Sequence, residues 1–105
     1  KGLDMGPAIE HQLNLALNDF EWSKELASPC TVWNDAHLGG FGQIPEPLQS
    51  FIGSWEGETG IPLDGVYTGK ALHRLEEAWR EGSDWGGRRV LFIHTGGLQG
   101  NRSWR

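Results

Sequence analysis

Arg89-Val90-Leu91-Phe92-Ile93-His94-Thr95-Gly96-Gly97 decides how the chain reads. The continuous apolar run from Val90 to Ile93 is what a parallel strand covered on both faces requires, and Thr95-Gly96-Gly97 turns the chain at its end. Before it, Ala71, Leu72, Leu75, Ala78 and Trp79 recur at helical spacing. They predict a helix from Thr68, a good N-cap, to about Glu81, with Gly82 as its stop. Ile61 to Tyr67 is extended or turning, because Pro62 restricts the residue before it. Leu48, Phe51, Ile52 and Trp55 form the apolar face of another helix, about Glu46 to Glu58, ended by Gly60. His37-Leu38-Gly39-Gly40-Phe41-Gly42 is a loop, since so many glycines resist regular structure.

Farther toward the start, Thr31-Val32-Trp33 reads as a short strand after a break at Ser28-Pro29-Cys30. Pro7 suits a helix first turn, and Leu13, Ala16, Leu17 and Phe20 continue one to Asp19. Helices alternating with short strands predict an α/β layered fold. Only two or three strands are visible, so the sheet reads as unfinished by itself. The opening Lys1-Gly2-Leu3, without methionine, is what a piece of a longer protein, tag removal or processing would each leave. Six tryptophans, including Trp85 in the polar stretch Gly82 to Gly87, either cover a partner surface or pack as amphipathic rims.

Composition excludes several classes. Nine Lys and Arg against 14 Asp and Glu leave a net charge of −5, the wrong sign for a nucleic-acid-binding surface. A hydrophobic share of 37% with 16 glycines describes a globular chain rather than a disordered one. Cys30 stands alone and cannot form an internal disulfide. No apolar run approaches the ~20 residues that span a bilayer, and no signal peptide is expected. The expectation is a soluble, cytoplasmic protein with no nucleic-acid or membrane partner.

In open α/β sheets ligands gather at the carboxyl ends of strands. Val66-Tyr67-Thr68-Gly69-Lys70 and His94-Thr95-Gly96-Gly97 both combine small polar side chains with close backbone approach, which suits a flat cofactor ring. The plainer alternative is that Thr68 only caps its helix and Thr95-Gly96-Gly97 only turns the chain. His11, His37, His73, His94 and Cys30 match no metal-ligand spacing, so no metal is expected. His94 is expected to orient its loop or pack at the strand end, and His73 to face solvent. Glu56, Glu58, Glu76 and Glu77 read as solvated helix faces, and Arg88-Arg89 as a solubilising edge.

Pro62-Leu63-Asp64-Gly65-Val66-Tyr67-Thr68-Gly69-Lys70-Ala71-Leu72, a helix, then Val90 to Gly100 resembles the carboxyl-terminal portion of the pyridoxal-phosphate-dependent 1-aminocyclopropane-1-carboxylate deaminase / D-cysteine desulfhydrase family. The similarity is strongest from about Asp35 to Gly100. It implies a tryptophan-synthase-β-like (fold type II) enzyme. Residues 1–105 would then form one segment of the large cofactor-binding domain, with an open, twisted, mostly parallel sheet and flanking helices.

The resemblance also implies the cofactor pyridoxal 5'-phosphate, a small amino-acid substrate and a homodimer for the intact protein. The family's Schiff-base lysine and phosphate-cradling glycine loop belong upstream, in the other half of the same enzyme or a partner subunit. Lys1, Lys24 and Lys70 do not lie in the Schiff-base context, and Lys70 reads as structural. Tyr67 matches the catalytic tyrosine. Thr68, Thr95, Gly96 and Gly97 match cofactor-binding positions. The deaminase branch carries a carboxylate after the tyrosine and a leucine before the double glycine, whereas hydroxyls at both places resemble the desulfhydrase branch. Phe41 stands where relatives have a second tyrosine, and Gly65 replaces a common proline, which should only loosen the turn. A non-catalytic remnant or interaction module keeping the fold is the other function class open at this point.

Overall fold

A computed structural model describes residues 5–19, 31–82 and 87–105. Phe20, Lys24, the break at Ser28-Pro29-Cys30 and Trp85 lie outside the described residues. The chain divides into two compact units, Lys1–Asp35 and Ala36–Arg105. The first holds helix α1, Gly6–Asp19, close to its predicted bounds. Pro7 sits in its first turn, where a missing N–H costs nothing. Ile9, Leu13 and Ala16 are half-buried along it.

The second unit holds α2 (Glu46–Thr59), α3 (Thr68–Arg80) and a short 3-10 helix (Leu98–Ser103). Pro47 stands at the start of α2, and Gly60 ends it in the left-handed conformation at φ 72°, donating its N–H to the Glu56 carbonyl at 2.8 Å. That is the glycine stop the sequence predicts. Leu48 and Ile52 of α2, Leu63 of the connection and Leu72 of α3 form the buried core. Phe51, Trp55, Leu75, Phe92 and Trp104 pack around it. Each fully buried aliphatic side chain of this kind contributes about 1.5–3 kcal/mol.

Four expectations are corrected. Among the described residues no strand forms: Thr31-Val32-Trp33 and Arg89–His94 run without a ladder partner. A strand exists only through hydrogen bonds to a neighbour, and the described residues supply none. The apolar run is therefore open, with Leu91 86% and Ile93 72% exposed while Phe92 turns inward. Trp79 and Ala71, placed on the core face of α3, are exposed, whereas Gly69 and Lys70 are buried. His73 does not face solvent freely: its ring stands edge-on to Phe51 at 5.2 Å. Finally, Gly65 does more than loosen a turn. A Cβ there would lie 2.6 Å from Ile44 Cδ1 and 2.9 Å from Trp104 Nε1, so any side chain would have to displace both.

Candidate functional site at the start of α3

The chain between α2 and α3 turns at Asp64, whose side chain is fully buried. Its Oδ1 accepts the N–H groups of Val66 at 2.8 Å and Tyr67 at 2.6 Å. Its Oδ2 accepts the Thr68 N–H at 2.9 Å and the Thr68 hydroxyl at 2.5 Å. Three amides at the helix start, otherwise without intrahelical partners, are thus satisfied by one carboxylate. The predicted cap is displaced: Asp64, not Thr68, caps α3, and Thr68 is already inside the first turn. Burial by itself would raise the Asp64 carboxyl, but the Thr68 hydroxyl and the amides of Thr68, Tyr67 and Val66 outweigh it. The net effect holds the group below its ordinary 3.8.

Two neighbours close on this turn. The Gly69 N–H donates to the Asp64 carbonyl at 2.8 Å, and a Cβ on Gly69 would lie 2.5 Å from that oxygen. Gly97, left-handed at φ 85°, approaches so closely that a Cβ would lie 3.2 Å from Asp64 Oδ2. Asn101 of the 3-10 helix sews the turn down. Its Oδ1 accepts from Gly65 N–H at 3.1 Å and Trp104 Nε1–H at 2.9 Å, while its Nδ2 donates to the Leu63 carbonyl at 2.9 Å.

The side chains matched to family site positions divide by exposure. Tyr67 is 60% exposed, with its ring 6.2 Å from that of Phe41 at the tip of the glycine loop. Thr95 is exposed. Thr68 is buried, and its hydroxyl both donates to Oδ2 and accepts the Asp64 N–H at 3.0 Å, leaving one lone pair. Gly96 donates its N–H to His94 Nδ1 at 3.0 Å, and His94 Nε2 meets the Pro62 carbonyl at 2.8 Å. With Nδ1 accepting, Nε2 is the donor, and the two bonds tie the turn at residues 94–96 to the connection at Pro62. The structure therefore joins Gly97 to the Asp64 turn and sets Tyr67 beside Phe41.

Sequence reasoning missed Asp64 and Asn101. The Asp64-Gly65 pair a few residues ahead of a helix was the available sign of an Asx turn. Among the described residues no group of three His, Cys, Asp or Glu could hold a metal, and no helix is long and apolar enough to cross a membrane.

Comparison of the whole chain with curated proteins finds similar ones. The chain is 35% identical over 104 residues, 94% of its length, to a putative 1-aminocyclopropane-1-carboxylate deaminase of Pyrococcus abyssi, of which it covers 31%. It is 34% identical over 102 residues, 92% of its length, to a D-cysteine desulfhydrase of Serratia proteamaculans, of which it covers 29%. Over 51 residues, 48% of its length, it is 47% identical to the mitochondrial bifunctional D-cysteine desulfhydrase/1-aminocyclopropane-1-carboxylate deaminase of Arabidopsis thaliana, covering 13% of that protein. No protein-family model matches the chain, and no solved structure matches it significantly. By these matches the chain is similar to members of the 1-aminocyclopropane-1-carboxylate deaminase / D-cysteine desulfhydrase family. It spans between 13% and 31% of the length of these curated relatives.

Proposed function

We propose that this chain is the carboxyl-terminal part of a pyridoxal-phosphate-dependent enzyme acting on a small amino acid, closer to D-cysteine desulfhydrases than to cyclopropane-opening deaminases. The observation that carries this is the exposed Tyr67 phenol, anchored through its own N–H to Asp64 at 2.6 Å on the turn that Gly97 closes. In this proposal Val90–Ile93 is a strand of an open, mostly parallel sheet whose other strands come from elsewhere in the protein. Its exposed Leu91 and Ile93 support that placement. A cytoplasmic homodimer is the form proposed for the whole protein.

The residues present fit a flat, basic ring. Thr95 offers an exposed hydroxyl, and Thr68 Oγ1 keeps one lone pair. Gly96 and Gly97 form a wall without side-chain bulk. When bound, the cofactor draws electrons from the bond broken at the substrate's Cα. Thr95, Thr68, Gly96 and Gly97 would hold its nitrogen edge.

The nearby carboxylate is not available to that edge, because both Asp64 oxygens already accept two bonds each. Hydroxyls stabilise a protonated ring nitrogen less than a carboxylate does. They suit α-proton removal and β-elimination, the chemistry of sulfide release, better than ring opening. Tyr67 Oη holds or moves a proton beside the substrate, and its exposure lets it do so.

The test uses the purified full-length protein carrying this chain, reconstituted with pyridoxal 5'-phosphate. Visible absorbance of bound cofactor, and pyruvate release from D-cysteine exceeding 2-oxobutanoate release from 1-aminocyclopropane-1-carboxylate, are the expected results. Absent cofactor absorbance and absent turnover of both substrates would instead identify a non-catalytic relative.

A further inference from the structure

Lys70 is the buried cation of the described unit, and its ammonium points away from every carboxylate bond described above. Nζ donates to the carbonyls of His37 and Gly40, each at 2.8 Å. Those two oxygens are not arbitrary acceptors. The His37 carbonyl already accepts the Gly40 N–H at 3.1 Å, and the Gly40 carbonyl accepts the Gln43 N–H at 3.2 Å. One ammonium thus fastens two successive turns of the glycine loop.

The loop needs such fastening. Leu38, Gly39, Gly40 and Gly42 all stand at positive φ, and glycines lose more conformational freedom on ordering than other residues. Leu38 and Ile44 pack against the core at its two ends. Phe41 between them is 81% exposed, and its ring is tilted by 60° against that of Tyr67, 6.2 Å away. Burying an ammonium is unfavourable, and burial lowers the affinity of Lys70 for its proton. A methionine could fill the same volume without that penalty. The donors, not the stem, explain a lysine here.

We propose that Lys70 is a positioning residue: it clamps residues 37–42 to the first turn of α3 and so holds Phe41 beside Tyr67, where the pair flanks the bound amino acid. The role toward the amino acid rests on the function proposed above; the clamp itself does not.

The experiment compares Lys70→Met, Lys70→Arg and Phe41→Ala in the full-length holoprotein. Three readouts are taken: amide exchange of residues 37–43, the nitration rate of Tyr67 followed by mass spectrometry, and KM against kcat for D-cysteine. Loss of two charge-assisted bonds in Lys70→Met should speed loop exchange and Tyr67 nitration about tenfold or more, with α2 exchange unchanged. KM should rise about tenfold while kcat moves far less, because binding rather than chemistry loses its wall. Lys70→Arg, which keeps charge and donors, should restore most of each effect. Phe41→Ala should reproduce the KM and nitration changes with loop exchange near wild type.

Unchanged loop exchange in Lys70→Met overturns the clamp. Faster exchange with unchanged Tyr67 nitration and KM overturns the positioning role. If Lys70→Met fails to fold, Lys70→Gln takes its place under the same expectations. If the wild-type protein turns over neither D-cysteine nor the cyclopropane substrate, the proposed function fails, and exchange and nitration alone decide the clamp.

Discussion

Asp64 and Thr68 are bonded to each other twice: the Thr68 hydroxyl donates to Asp64 Oδ2 at 2.5 Å and accepts the Asp64 N–H at 3.0 Å. Both residues are buried, at 0% and 2% exposure, so water cannot replace either bond. With the amide bonds to Val66, Tyr67 and Thr68, this pair sets where α3 begins and where the Tyr67 backbone sits.

Asp64→Ala should be among the most destabilising single changes in this unit. It strands three amides and a hydroxyl, and the expected loss is about 2–4 kcal/mol in urea unfolding. Asp64→Asn keeps an acceptor and should lose less. A urea midpoint within error of wild type for Asp64→Ala would contradict the capping role.

Acid should expose the same carboxylate. Hydrogen bonds hold Asp64 below its ordinary 3.8, so the folded state binds that proton more weakly than the unfolded state. The resulting stability is present above the unfolded value and is lost as pH falls from about 4 through the lower folded value. Asp64→Asn should flatten that part of the stability–pH curve. Parallel wild-type and variant curves between pH 5 and 2 would show that another group is responsible.

Gly69→Ala and Gly65→Ala test the close approaches. At Gly69 the new methyl meets the Asp64 backbone oxygen at 2.5 Å and Ile52 Cδ1 at 2.6 Å, and backbone cannot step aside. Gly69→Ala should cost about 1–3 kcal/mol or more, and Gly65→Ala somewhat less, since Ile44 and Trp104 can shift their side chains. Thermal unfolding of both variants checks the order.

Asn101→Ala removes the stitch from the 3-10 helix to Leu63, Gly65 and Trp104. Buried groups left without partners cost about 1–3 kcal/mol each, so a fall in melting temperature of several degrees is expected. Retained stability would mean that water replaces all three bonds.

Thr95 and Thr68 should respond differently. Thr95 is exposed, so Thr95→Leu should shift the ratio of D-cysteine to cyclopropane turnover in the full-length enzyme about tenfold while leaving stability nearly unchanged. Thr68→Glu would set a second carboxylate against Asp64 in a buried turn, so Thr68→Glu with Thr95→Leu should lower the melting temperature as well. Kinetics with both substrates beside melting curves separate the two effects. An unchanged substrate ratio in both variants would remove the threonines from the cofactor's edge.

The three helices were legible because their causes are local. Pro7 and Pro47 at first turns, Gly60 after α2, and apolar residues at 3.6-residue spacing act within a few positions of one another. Leu48 and Ile52 were correctly placed in the core for the same reason. The Val90–Ile93 pattern predicted a strand, but none forms among the described residues, because pairing is a property of two segments and not of one apolar run.

What composition and spacing determined by themselves was an acidic chain with three helices, a Gly-rich loop and two hydroxyl-glycine motifs. Only the tertiary structure decided which polar residues face inward. Lys70 bonds carbonyls 33 and 30 positions away, and Asn101 reaches back 38 and 36 positions to Leu63 and Gly65. No local pattern encodes such partners, because a buried donor is stable wherever the fold brings an acceptor within hydrogen-bond distance, and that distance is set by packing rather than by sequence separation.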